Sequence, residues 1–388
     1  MFKIGKEECE AASNAIMSGV LFRINDTRRE VIQFENEFKK KIGAEHCLEL
    51  SSGTHALAAS LAALGIGPGM EVIVPGYTFI ATAIAVLAVG AIPVVCEVDE
   101  SLTLDPDDVE KKISKYTKAI IPVHIAGFPC NMKRLKEIAD KNNLFLVEDA
   151  CQACGGQFDG KYLGTFGNFG AFSFNYFKIL TAGEGGALVT NDIKLFERAI
   201  IYHDCGSAFW SYEQPITEPL FSGTNMRANE IVGAILRVQL TRLDDILSHI
   251  RGHKKKLMEL LKDETNIKFN RSNDPDGDCG TTIPFFFDTA EKAKKFAEAM
   301  NTNRPYDTDK HVYINWTPML EKRGAHCDAM NPYLFKANKR LNKNLTKDSC
   351  PKTLDYLSRT VYLYTKYDMS DEELNEIAEK CKAAARAL

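Results

Sequence analysis

The sequence predicts an α/β domain built on a mainly parallel seven-stranded sheet, followed by a smaller α+β domain. Three observations predict it. From Glu45 to Thr190 short apolar runs alternate with helical stretches, as in a sheet covered by helices on both faces. Beyond about residue 250 the alternation gives way to a long helix, a polar loop, a strand and more helix. The residues with the most distinctive chemistry stand just after strand candidates, where ligands collect in such sheets. Residues 1–250 are assigned to the large domain and 251–388 to the small one.

The elements follow in chain order. Cys47–Leu50 is the first strand candidate and Thr54–Leu64 the helix after it. Val72–Val74, Thr78–Val89 and Pro93–Val98 read as strand, helix and strand. The stretch from Val72 to Cys96 carries no charge, but Pro75, Gly76, Gly90 and Pro93 divide it. Those breaks favour a buried β-α-β unit over a membrane-spanning helix. Pro106–Ile113 and Met132–Lys141 are helix candidates, and Ala119–Val123 and Leu144–Glu148 are strands. Ala171–Phe174 and Ala187–Thr190 complete the seven strands, and Ile193–Tyr202 is helical. Asn229–Leu261 places Ile231, Ile235, Leu236, Leu240, Leu243 and Ile246 at helical spacing, one long helix or a pair. Ser272–Thr282 (SNDPDGDCGTT) is a polar loop. Ile283–Phe287 reads as a strand, Glu291–Met300 as a helix and Asp371–Ala387 as a terminal amphipathic helix.

Composition excludes several classes of function. The 388 residues are 45% hydrophobic and 26% charged, ordinary for a globular protein of two domains. A net charge of −4 and short lysine clusters (Lys39–Lys41, Lys254–Lys256) give no footprint for nucleic acid. The N-terminal MFKIGKEECEAAS has no apolar core, so no secretory signal is expected. Eleven cysteines, an odd number without regular spacing, suit reduced thiols in the cytoplasm. Cys151 and Cys154 form a single C-x-x-C with no second pair at metal-binding spacing, so no metal is expected.

Chemistry concentrates in a few motifs. Phe172–Gly186 reads FSFNYFKILTAGEGG and holds Lys178 in a tight loop between two apolar runs. Partial desolvation there frees a lysine amine as the nucleophile a Schiff base needs. About thirty residues upstream, in VEDACQA, Asp149 ends a strand and Gln152 follows. An aspartate so placed can hold a pyridinium nitrogen protonated, although a helix N-cap is the competing role. SSGTHAL (Ser51–Leu57) leaves a strand and opens a helix, so the N–H groups of Thr54 and His55 form a phosphate site. Ser173 can add a hydroxyl to that phosphate. Phe79, in PGYTFIAT, can stack on an aromatic ring, with core packing as the alternative.

SSGTHAL, PGYTFIAT, VEDACQA, SFNYFKILTAGEGG and SGTNMRANE stand in the order and spacing of the DegT/DnrJ/EryC1/StrS aminotransferases, which the chain resembles over nearly its whole length. The resemblance implies the type I (aspartate aminotransferase-like) fold of pyridoxal-5′-phosphate enzymes. It also implies a homodimer with composite active sites. In it, Lys178 matches the Schiff-base lysine, Asp149 the pyridinium partner and Gln152 a group beside the ring and its 3-oxygen. Phe79 matches the stacking aromatic, Thr54, His55 and Ser173 the phosphate positions, and Asn225 the residue that reaches the partner subunit's phosphate. Relatives with histidine in place of the lysine are 3-dehydratases, so Lys178 implies transamination. The expected reaction is ping-pong, with L-glutamate as donor, pyridoxamine phosphate between the half-reactions and a keto or aldehydo sugar as acceptor.

For the acceptor, His311–Leu320 (HVYINWTPML) departs from the Tyr-x-x-Leu-His segment usual in nucleotide-sugar members. With GVLFRIN (Gly19–Asn25) it is closer to the branch that aminates 8-oxo-Kdo. The lysine loop and NMRANEIVGAILRVQLTRLD also resemble 3-amino-5-hydroxybenzoate synthases and cyclitol aminotransferases. Tyr313 and Trp316 are expected to face a sugar ring, Asn315 to bind a hydroxyl and Arg23 to pair with a carboxylate. The alternative roles are core packing for Trp316 and a surface charge for Arg23. Alternative functions are a pyridoxal-phosphate aromatase or dehydratase, such as a 3-amino-5-hydroxybenzoate synthase, and a non-catalytic cofactor-binding regulator.

Overall fold

In the computed structural model, residues 3–25, 27–206 and 215–388 are described. Helices α1 (Lys6–Met17) and α2 (Glu30–Ile42) open the chain, both absent from the sequence expectation. Then come β1 (His46–Leu50), α3 (Gly53–Ala63), β2 (Glu71–Pro75), α4 (Ala81–Ala88), β3 (Ile92–Cys96) and α5 (Pro106–Lys112). Next are β4 (Thr117–Ile120), α6 (Met132–Lys141), β5 (Phe145–Asp149) and the hairpin β6 (Gln157–Phe158) and β7 (Lys161–Tyr162). The large domain continues with β8 (Phe169–Ser173), β9 (Gly186–Thr190), α7 (Ile193–His203), α8 (Glu230–Thr241) and α9 (Leu243–Leu261).

The central sheet has seven strands in the order β1-β9-β8-β5-β4-β2-β3. It is parallel except for β9, which runs antiparallel to both β1 and β8. The C-terminal ends of β1, β8, β5 and β2 therefore share one edge. Side chains alternate between two cores. Val72 and Val74 pack with Leu57, Leu61 and Val86 on one face, while Ile73 packs with Phe38, Leu135 and Ile246 on the other. Burial on both faces is why these strands read as continuous apolar runs.

Of the two arrangements open for 229–261, one long helix or a pair, the chain forms the pair, broken at Arg242. The first half of α9 (Ile246, Ile250) joins the sheet core, and its second half (Leu257, Leu261) joins a separate C-terminal core. That core is made by β10 (Lys268–Phe269), β11 (Thr282–Phe286), α10 (Ala290–Met300), β12 (Thr360–Tyr364) and α13 (Asp371–Arg386), whereas α11 (Thr317–Leu320) and α12 (Pro351–Arg359) put Met319, Leu354 and Leu357 into the sheet core. Strands β10, β11 and β12 form an antiparallel sheet.

Between α11 and α12 the chain runs as a strap of 3₁₀ turns along the large domain near edge strand β3. Asn338, fully buried, accepts from Gly69 N and donates to Gly90 O (2.9 Å) and Pro332 O (2.8 Å). Asn342 N donates to Glu71 Oε1 (2.7 Å), and Val98 N to Thr353 Oγ1 (2.9 Å). The strap thereby covers an otherwise unpaired sheet edge. Among the described residues, no helix is long and apolar enough to cross a membrane.

Candidate active site

The site forms where β5, β8, β1 and β2 end. Asp149, the last residue of β5, is buried at 5% exposure. Its Oδ2 accepts from Thr82 Oγ1 (2.8 Å) on α4, and its Oδ1 from Cys151 N (3.2 Å). Thr82 Oγ1 is in turn 2.8 Å from Thr78 Oγ1, so a short hydroxyl chain orients the carboxylate. The adjacent Glu148 points to the opposite face. There it accepts from Gly164 N, Phe166 N, Gly167 N and His124 Nε2, which locks the floor beneath the site.

Lys178 sits in the excursion between β8 and β9. Phe174 N donates to Gly185 O (2.9 Å), Tyr176 N to Gly183 O (3.0 Å) and Lys178 N to Asn175 O (2.9 Å). Gly183 (φ +87°) and Gly185 (φ +149°) allow the chain to turn back there. The lysine is half-buried. Its charge acts on Cys151 and on His311, so the three lie together.

Helix α3 points its N-terminus into the same space. Ser52 caps it by accepting from His55 N (3.1 Å). His55 N–H is therefore spent, a correction to the expectation that it faces a phosphate, and its ring Nδ1 is bonded to Ser51 Oγ (2.8 Å). The N–H groups of Gly53 and Thr54 precede the first helical acceptor and remain available. Gly53 lies so close to its neighbours that a Cβ there would be 2.7 Å from Cys151 Sγ and 2.8 Å from Ser173 Cβ. Ser173 is thus placed beside the helix terminus as expected, and Cys151 forms its floor. Such a cradle fits an anionic group.

Phe79 is 42% exposed, so it is not a core residue. Gln152 Oε1 accepts from Ala126 N (2.9 Å), holding a turn whose Ala126 is itself left-handed (φ +51°). Asn225 is exposed, with its Oδ1 accepting from Arg227 N (3.1 Å).

Three of the four expected acceptor residues lie elsewhere. Arg23 is 2% exposed and bound to Glu35 Oε1 (2.7 Å) and Glu49 O (3.1 Å), so it is neither a surface charge nor a free ligand for a carboxylate. Tyr313 is fully buried, its hydroxyl donating to Lys347 O (2.6 Å) and accepting from Cys350 N (3.0 Å). Trp316 is also fully buried, with Nε1 donating to Lys310 O (2.9 Å). Both belong to the sheet core because the strap needs apolar anchors. Asn315 is exposed and donates to Asp309 O (2.8 Å).

The same segment carries a residue that spacing did not single out. Thr78 N donates to His311 O (2.9 Å) and Ile80 N to Lys310 O (3.0 Å), while Tyr313 N donates to Gly76 O (3.0 Å). This pairing sets the His311 ring 5.3 Å from that of Phe79, tilted by 52°. Burial and the charge of Lys178 hold its pKa down to about 4. Nothing in the sequence ties residue 311 to residue 178, since they meet only through that pairing.

Comparison with known proteins bears on this arrangement. The profile of the DegT/DnrJ/EryC1/StrS aminotransferase family matches residues 3–382. GDP-perosamine synthase of Escherichia coli O157:H7 is 39% identical over 235 residues, covering 60% of this chain and 62% of that protein. The 3-amino-5-hydroxybenzoate synthase of Amycolatopsis mediterranei (strain S699) is 40% identical over 223 residues, 56% of each chain. The matched stretches thus span less than two thirds of these relatives' length. The structure of S. venezuelae DesV in complex with a ketimine intermediate superposes with a TM-score of 0.79 at 29% identity, covering 98% of this chain and 95% of that one.

Proposed function

Because the chain belongs to the DegT/DnrJ/EryC1/StrS aminotransferase family, we propose that it is a pyridoxal-phosphate aminotransferase that moves an amino group from L-glutamate to a sugar-like ketone or aldehyde. One observation carries the reading. A half-buried lysine, a buried aspartate and an open helix N-terminus, from three separate strand ends, converge around Cys151. The residues fit the cofactor: Gly53 and Thr54 N–H with Ser173 would hold its phosphate, Phe79 its ring face, Gln152 its 3-oxygen and Asp149 its ring nitrogen. When bound, pyridoxal phosphate supplies an electron sink for the carbon that loses a proton.

The chain's own groups do the rest. The Asp149 carboxylate, held by Thr82, would keep a proton on the ring nitrogen. Lys178 Nζ would hold the cofactor at rest and, once free as an amine, would take the proton from the donor carbon and return it as general acid. The same two groups would serve the acceptor half-reaction. A homodimer with Asn225 at the partner's phosphate belongs to this reading. The exposed Phe177 (80%), next to Lys178 in the chain, supports a covered face near the site. The identity to 3-amino-5-hydroxybenzoate synthase favours, as a second reading, amination followed by loss of water.

Adding L-glutamate to the purified holoprotein tests the proposal. The absorbance of lysine-bound cofactor is expected to give way to that of pyridoxamine phosphate, with release of 2-oxoglutarate. Lys178→Ala is expected to abolish this while the far-UV spectrum stays unchanged. Normal turnover by that variant refutes the assignment, and water loss from the aminated product decides for the second reading.

A further inference from the structure

We propose that His311 determines acceptor specificity by exchanging hydrogen bonds with a hydroxyl next to the acceptor's carbonyl. The inference rests on the aminotransferase reading above and adds to it the chemistry of the group recognised. His311 belongs to the segment between α10 and α11, where three backbone hydrogen bonds fasten it to the Gly76–Ile80 turn. That turn continues into α4, whose Thr82 orients Asp149. The backbone that carries the ring is therefore tied to the turn that leads to the aspartate's partner. The ring stands beside that of Phe79, half-buried, within reach of the charge of Lys178.

Two further facts choose the ligand. Among the described residues, neither ring nitrogen of His311 has a hydrogen-bond partner, unlike His124, His55 and His249, whose rings are all engaged by the protein. The charged groups acting on the ring are Lys178 and Asp309; with burial and Lys178 dominant, the imidazole is neutral at physiological pH. A neutral imidazole offers one donor and one acceptor. A hydroxyl matches that pair, whereas a phosphate or carboxylate only accepts and is better met by a cation. The geometry thus points to a hydroxylated acceptor read by His311.

The test compares two aldehydes of equal size, glycolaldehyde and propanal, as acceptors for the pyridoxamine form of the enzyme. Wild type is expected to favour glycolaldehyde about tenfold in kcat/KM, the size of one net hydrogen bond. His311→Leu is expected to erase the preference, and His311→Asn, which keeps a donor and an acceptor, to retain part of it. The glutamate half-reaction is expected to stay within about threefold in both variants. A second readout is independent of turnover: in protein labelled with ¹⁵N-histidine, the ring-nitrogen signal lost in His311→Asn is expected to shift when the unreactive polyol erythritol is added. An unchanged aldehyde preference in His311→Leu overturns the inference, as does the absence of any shift with erythritol. An equal loss in both half-reactions also overturns it, because His311 then acts through Lys178. If wild type shows no glutamate half-reaction, the aminotransferase reading itself falls, and this inference with it.

Discussion

Asp149 illustrates what single residues contribute. Its carboxylate is buried and receives one side-chain hydroxyl and one backbone N–H. Thr82→Val removes the hydroxyl and keeps the shape. We expect the glutamate half-reaction to slow by roughly tenfold, since a hydrogen bond to a charged group contributes ~1.5 kcal/mol, with cofactor retained. Stopped-flow absorbance measures it, and a wild-type rate shows that Thr82 plays no part. His203 has a separate consequence for acid stability. Its Nδ1–H donates to Ile200 O (2.8 Å), and burial, then the charges of Arg23 and Arg227, lower its pKa to about 3. The unfolded chain binds that proton near 6.5, so this group's contribution is intact above pH 6.5 and is lost as pH falls toward 3. At pH 5 the loss is about 2 kcal/mol. Urea denaturation at pH 7 and pH 5 is expected to show a drop that His203→Gln reduces by about that amount. An identical drop in the variant assigns the acid sensitivity to other groups.

At the scale of elements, the contact between α3 and β8 shapes the cofactor cradle. Gly53 has no room for a Cβ between Cys151 Sγ and Ser173 Cβ. Gly53→Ala is expected to cost ~1–3 kcal/mol, as overpacking does, and to weaken binding of the cofactor phosphate. Cys151→Ala removes one of the two obstructing atoms, so the double variant is expected to recover part of the loss. A double-mutant cycle in urea denaturation reads this coupling, and strict additivity contradicts it. The elements around that contact were legible because uncharged strands alternate with helices. Strand β12 was not, since Thr360–Tyr364 follows α12 without a turn residue between them. The start of β4 at Thr117, two residues before the expected Ala119, follows from pairing with Glu71 rather than from hydrophobicity.

For the whole molecule, the strap and the subunit contact matter most. Asn338 is fully buried and joins Gly69, Gly90 and Pro332 by three hydrogen bonds. Asn338→Ala leaves those backbone groups unpaired and is expected to cost roughly 2–4 kcal/mol, at ~1–3 kcal/mol per buried group less local relaxation. A thermal unfolding midpoint within error of wild type refutes that. Composite sites have a sharper test. Lys178→Ala and Asn225→Ala subunits, each inactive alone, are expected to regain roughly a quarter of wild-type activity when refolded together, because half of a random mixture is mixed dimer with one intact site in each. No recovery in mixed dimers that do form places both residues in one subunit's site.

Residue order alone determined the α/β class, the strand-end positions of Lys178, Asp149 and Ser173, and a helix terminus at Thr54. Those features are local: period, turn chemistry and capping act over a few residues and leave their mark in the order of the chain. The tertiary structure decided what each polar group near the site is free to do. Arg23, Tyr313 and Trp316 suit a sugar pocket by type, but an ion pair with Glu35 and the anchoring of the strap take them into the core. His311 gains its place because the segment between α10 and α11 pairs with a turn more than two hundred residues away in the chain. Burial and partnership between distant residues depend on that pairing, and no local pattern encodes them.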